Sequence, residues 1–193
     1  MSHFGFDLDN TLIDYSESCR QYSKQHGLPE VSSTDGLRSL LNSEIESGAA
    51  WTSAQSWIYG VGLYYASISH FATNLLEKLL QNGWQLSIHS HKTEYGPTAY
   101  GSVPFRELMI GWLSASELRN FFNLDSNIFF YDDLDSKVLG IADSNLEIYI
   151  DDLPKVFKHV HYPRQVRSYL YRSFDRELDW TIKISSFEDI SLE

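Results

Sequence analysis

Asp7 and Asp9 stand two residues apart after the short run Phe4-Gly5-Phe6, and Thr11 follows two residues later. The residues up to Asp7 are apolar or small, and no turn signal appears before Asn10-Thr11, so the run reads as a buried strand ending in two carboxylates. On an extended segment, side chains at i and i+2 project to the same side, and beyond the strand end both acids converge on one small volume. Their mutual repulsion there calls for a cation or a shared proton. That arrangement is costly unless it is used. A strand-end turn whose aspartates only accept local hydrogen bonds accounts for the same residues, so the rest of the chain has to decide.

Further polar groups follow apolar runs in the same way. Residues 84–89 alternate in period two and end at Ser90-His91-Lys92-Thr93. Ile128-Phe129-Phe130-Tyr131 ends at Asp132-Asp133, and Glu147-Ile148-Tyr149-Ile150 ends at Asp151-Asp152. Lys137 lies between the two acidic pairs, in a short helix expected over 136–142. Residues 166–171 read as a weaker fifth strand.

The elements between these strands are helical. Tyr15, Cys19, Tyr22 and His26 recur at helical spacing until Gly27-Leu28-Pro29, and a second helix is expected over 32–47 with Leu37, Leu40, Leu41 and Ile45 on one face. A stretch over 51–69 is interrupted by Gly60 and Gly62, and Leu75, Leu76, Leu79 and Leu80 mark a short helix over 74–81. A Gly- and Pro-containing loop spans 95–104, and a helix is expected over 105–122. Strands alternating with helices indicate βαβ units in a parallel sheet, with ligands at the carboxyl ends of the strands. The expected architecture is α/β: a Rossmann-like, three-layer parallel sheet with helices on both faces. Residues 1–13 and 73–193 form the core, and a helical insertion over 14–72 follows the first strand.

Composition narrows the function classes. The chain has 193 residues, 42% of them hydrophobic, enough for one well-packed core. A formal net charge of −11 works against binding nucleic-acid polymers or anionic membranes, and it requires any phosphate site to carry its own local cation. Cys19 is the only cysteine, so an intrachain disulfide is impossible and a reducing, cytoplasmic home is expected. The start of the chain lacks the charged and apolar regions of a secretory signal. Residues 49–76 contain no charged side chain, but polar residues break the run short of the roughly 20 apolar residues that a membrane span needs. Oligomeric state is not legible in the sequence.

Asp7-x-Asp9-x-Thr11 behind an apolar run resembles the first motif of the haloacid dehalogenase superfamily of phosphate-transferring enzymes. Residues 86–93 and 148–154 look like a poorly characterised subgroup of its hydrolases, and residues 57–63 are similar to that subgroup's insertion. The resemblance implies Asp7 as nucleophile, Asp9 as general acid and base, and Thr11 as a hydrogen-bonding support at the phosphate loop. It implies that Ser90 donates to a phosphoryl oxygen and that Lys137 neutralises nucleophile and phosphate; His91 and Lys92, next to Ser90, read equally as phosphate contacts or as a solvated helix start. It implies Mg²⁺ held by Asp7, the backbone carbonyl of Asp9 and the pair Asp151-Asp152, with Asp151 as the direct ligand. Asp132-Asp133 is a competing pair, but no lysine lies between Lys92 and Ser136, so only the later pair leaves Lys137 in the required order. The implied activity is hydrolysis of a small phosphorylated metabolite through an aspartyl-phosphate, under a small helical C1-type cap placed at 14–72.

Competing assignments remain. His89-x-His91 and His159-x-His161 have strand spacing that suits zinc, but the only thiol is Cys19, and His89 is expected to pack in the second strand. Trp51, Trp57, Tyr59, Tyr64 and Tyr65 suit either the core of the insertion or a stacking wall. A phosphoacceptor signalling domain uses similar residues, but in a different order and without the insertion. A scaffold that keeps the acids without turnover is the other alternative.

Overall fold

The computed structural model describes residues 2–44, 48–96, 103–173, 175 and 177–192. The expectations for residues 45–47 and for 97–102 of the loop fall outside the described residues. β1 (His3–Phe6), β4 (Gln85–His91), β5 (Ile128–Tyr131), β6 (Ile148–Asp151), β7 (Arg167–Tyr171) and β8 (Ile182–Ile184) form one sheet in the order β5-β4-β1-β6-β7-β8. Every neighbouring pair in it is parallel. β1 is central, so its side chains meet core on both faces, as its apolar composition demands.

Two apolar layers flank the sheet. Phe4, Phe6, Ile88 and Ile150 pack on one side with α4 (Ala72–Gln81) and α5 (Phe105–Ala115). Tyr149 and Leu170 pack on the other with α6 (Leu134–Asp143) and α7 (Pro154–Lys158). Phe4 and Phe6 stack at 4.4 Å between ring centroids, and both are fully buried. Gly5 lies between them in sequence and faces the opposite layer. A Cβ there would lie 2.5 Å from Leu146 Cδ1 and 2.9 Å from Tyr149 Cδ2, so this strand position has no room for a side chain.

Between β1 and β4 the chain leaves the sheet. β2 (Ile13–Asp14) and β3 (Ser67–Ile68) pair antiparallel and bracket α1 (Ser16–Gln25), α2 (Thr34–Glu44), α3 (Ala49–Ile58) and a 3-10 turn at Val61–Tyr65. The sequence held no signal for so short a ribbon; it forms because both ends of the helical segment must return to the same place. Among the described residues, no helix is long and apolar enough to cross a membrane.

Other differences from the expected elements have local causes. The 105–122 helix stops at Ala115, where Ser116 is extended and its hydroxyl caps a short 3-10 turn at Glu117–Asn120. β4 runs through His91, because its parallel pairing with β5 extends to Tyr131. β8 and α7 were not foreseen, being too short for periodicity to register.

Phe6→Ala is expected to destabilise the protein by about 3–5 kcal/mol through the cavity left at the sheet centre, measured as a fall in urea midpoint at unchanged slope.

Candidate active site

Asp7 sits one residue beyond β1, and its N–H donates to the Ile150 carbonyl at 2.8 Å, so the sheet ladder itself aims the carboxylate. Asp151 ends β6, the neighbouring strand. Lys137 is in the first turns of α6, whose start is fixed by Asp133: its carboxylate accepts from the Ser136 N–H at 2.7 Å in a capping box. The Lys137 ammonium thereby reaches both acids, 2.5 Å from Asp7 Oδ1 and 2.7 Å from Asp151 Oδ2. Asp7, Asp151 and Lys137 are all buried.

Other partners fix the network. Asp151 accepts from the Tyr149 hydroxyl at 3.0 Å and from the Leu153 N–H at 2.8 Å. Burial, reinforced by the charges of Asp151 and Asp9 and opposed by Lys137, pushes the Asp7 carboxyl up to about 7. Burial, then the charges of Asp7 and Asp151, lifts Asp152 well above the usual carboxylate range. Burial works against the Lys137 ammonium, but Asp151 and Asp7 more than offset it and raise its pKa.

Asp7, Asp151 and Asp152 each place one carboxylate oxygen within 4.8 Å of the others, the only such group of metal-ligating side chains among the described residues. Asp152 Oδ1 is buried without a hydrogen-bond partner among the described residues. Three carboxylates facing one ammonium, with an acceptor left open, fit a hard divalent cation.

Asp9 is occupied differently. Its Oδ2 lies 2.8 Å from the Lys92 ammonium, and its Oδ1 accepts from the Tyr15 hydroxyl at 2.6 Å. Lys92 is itself buried, its ammonium 4.1 Å from the centre of the Tyr59 ring. The sequence reading put Lys92 beside Ser90 rather than on Asp9, and it gave the Tyr15 hydroxyl no part in the site. Tyr149 had a usable signal, since two residues on one strand put it on the same face as Asp151. Tyr15 had none, because its helical spacing already explained it.

A cavity of about 490 Å³ opens over Asp7. Of the candidate residues, Asp7, Asp9, His91, Lys92, Lys137 and Asp152 line it. Thr11 and Ser90 are buried and outside that lining, and neither hydroxyl has a protein partner among the described residues. The loop hydrogen bond expected of Thr11 is therefore not made; Asn10 instead shapes the turn with φ of 59° and accepts from Thr34 at 3.2 Å. His91 is exposed, and its Nε2 lies 3.1 Å from the Asp132 carbonyl. Asp132 pairs with Arg106 at 2.7 Å, and neither it nor Asp133 lines the cavity. His89 is packed between Ser87 and Tyr131, and His159 lies 2.7 Å from Asp135. Of the aromatic group, Trp51 and Tyr59 line the cavity; Trp57 packs on Tyr22 and Tyr65, and Tyr64 is exposed.

No protein-family model and no curated protein matches the chain in sequence. Solved structures do match in shape. A haloacid dehalogenase hydrolase from Entamoeba histolytica superposes with a TM-score of 0.59 at 16% identity, over 100% of this chain and 96% of its own. A predicted phosphatase from Clostridium acetobutylicum gives 0.58 at 18%, over 95% and 94%. The chain has the haloacid dehalogenase-like fold. The same fold is shared by protein tyrosine kinase A from Mycobacterium tuberculosis, at a TM-score of 0.55 and 15% identity over 100% and 90%. A haloacid dehalogenase-like fold therefore does not by itself choose a reaction; the site has to.

Two outcomes test this electrostatic picture. Lys137→Met leaves two buried carboxylates without their cation and is expected to cost about 3–5 kcal/mol in chemical denaturation. Burial holds His89 down to about 3, so the unfolded chain binds the extra proton as pH falls from about 6.5, and that contribution to stability shrinks toward pH 3. His89→Gln is expected to flatten the dependence of urea midpoint on pH between 4 and 7, whatever constant offset it adds.

Proposed function

We propose that the protein is a phosphomonoester hydrolase acting through an aspartyl-phosphate on a small phosphorylated metabolite. The observation that carries this reading is the buried Asp7 carboxylate, aimed by the β1–β6 ladder into a cavity and bonded to Lys137, with Asp151 and Asp152 beside it.

In this reading Asp7 attacks phosphorus and the ester oxygen leaves. Asp9 protonates that oxygen and then takes a proton from the water that cleaves the acyl phosphate. Donating a proton requires Asp9 to exchange its contact with Lys92, and an incoming phosphoryl group offers that ammonium an alternative anion. Lys137 holds the nucleophile in place and offsets charge on the phosphoryl oxygens. Asp7, Asp151, Asp152 and the Asp9 carbonyl would hold Mg²⁺, which supplies positive charge to the equatorial oxygens when bound. Ser90 and Thr11 bring donors without protein partners, and His91 borders the phosphate from the cavity wall. The helical segment 14–72 acts as a cap: the β2–β3 ribbon is its hinge, and Tyr15 and Tyr59 are its contacts with Asp9 and Lys92. The lone thiol Cys19, buried in α1, leaves the chain without an intrachain disulfide, which supports a reducing compartment such as the cytoplasm.

The purified protein is expected to hydrolyse p-nitrophenyl phosphate with Mg²⁺ and to lose activity on chelation. Asp7→Asn is expected to lower kcat by at least about a thousandfold, the scale of losing a covalent nucleophile. Equal turnover by wild type and Asp7→Asn removes Asp7 from its role, and turnover insensitive to chelation removes the cation.

A further inference from the structure

Four basic residues line the cavity, although the chain as a whole is strongly acidic. Two are committed: Lys137 to Asp7 and Asp151, and Lys92 to Asp9. Arg38 of α2 and Lys155 of α7 are different. Among the described residues, neither has a carboxylate within ion-pair distance. Arg38 is steadied instead by an aromatic face, its guanidinium carbon 5.8 Å from the centre of the Trp51 ring.

The placement of Arg38 defines a second pole. Trp51 and Tyr59 face the cavity from the same side of α3 and its final turn. Tyr59 lies at the inner end against Lys92, next to Asp9, and Trp51 with Arg38 lies eight residues back along the helix, on the order of 12 Å at 1.5 Å per residue. The reacting phosphoryl therefore sits at one end and an uncommitted guanidinium at the other.

We propose that the substrate is a phosphomonoester of sugar-like length whose far end carries a second anionic group, a carboxylate or another phosphate, received by Arg38. The inference rests on the hydrolase reading and deepens it. A guanidinium is suited to this task, since its planar fork bonds either oxyanion in bidentate fashion while its face stays on the indole. Two- and three-carbon phospho-acids are shorter than that helical rise and are expected to engage Arg38 less.

The test compares kcat/KM within matched pairs, using wild-type protein with Mg²⁺. 6-Phosphogluconate against glucose 6-phosphate is the long pair, and 3-phosphoglycerate against glycerol 3-phosphate the short one. Fructose 1,6-bisphosphate against fructose 6-phosphate tells a terminal phosphate from a carboxylate. The anionic member of a long pair is expected to be favoured by about tenfold or more, equivalent to roughly 1.4 kcal/mol, and the short pair by much less. In Arg38→Gln that long-pair ratio is expected to collapse to about twofold, with Arg38→Lys recovering part of it. Hydrolysis of p-nitrophenyl phosphate without a long-pair preference, or a preference untouched by Arg38→Gln, overturns the second-anion site and leaves the hydrolase reading standing. Absence of hydrolysis of every ester overturns the hydrolase reading and this inference with it.

Discussion

One ammonium sits between two carboxylates in the dry centre of the molecule, and the rest of the site depends on it. Lys137 bridges Asp7 and Asp151, and all three are out of water. Removing such charges from solvent costs several kcal/mol each, and their mutual attraction returns it only if the geometry holds. The geometry holds because each partner is anchored by regular structure: Asp7 by the β1–β6 ladder, Asp151 at the end of β6, and Lys137 by a helix whose first turn is clamped by Asp133. The acid-rich pocket still carries excess negative charge around Asp152, which is the physical reason a divalent cation suits it.

A second ion pair links this centre to the helical segment. Asp9 is held between Lys92 and Tyr15, and Lys92 lies over Tyr59, so the residue proposed to move a proton contacts both sides of the proposed hinge. Tyr15 and Tyr59 meet edge to face at 5.2 Å, and Tyr59 meets Phe105 in the same way at 5.6 Å. Displacement of the helical segment would therefore alter the surroundings of Asp9 directly, which gives the segment a chemical as well as a shielding part.

The overall charge of the chain opposes an anionic substrate, yet the cavity does not. Local placement prevails over the global field because close, partly desolvated cations act at short range, while the distant acids of the surface are screened within about 10 Å of solution at ordinary ionic strength. Of the acids that face the cavity, Asp7 and Asp9 are paired with Lys137 and Lys92, while Asp35, Asp152 and the cation Arg38 have no ion-pair partner among the described residues.

The order of elements, the parallel sheet and the acidic ends of β1 and β6 were legible in the sequence, because strand and helix periodicities are local and a buried parallel strand advertises itself by its apolar run. The preference for Asp151-Asp152 over Asp132-Asp133 came from the place of Lys137 in the order that the haloacid dehalogenase resemblance implies; the structure groups Asp151 and Asp152 with Asp7 and gives Asp133 the separate work of starting α6. The β2–β3 ribbon, the pairing of Lys92 with Asp9, the hydroxyl of Tyr15 and the pole formed by Arg38 and Trp51 belong only to the tertiary structure. They join residues far apart in the chain or bend helical side chains toward one cavity, and no spacing rule encodes which of two exposed faces a neighbouring segment will cover. Local pattern determined what the elements are; long-range packing decided which charges find one another.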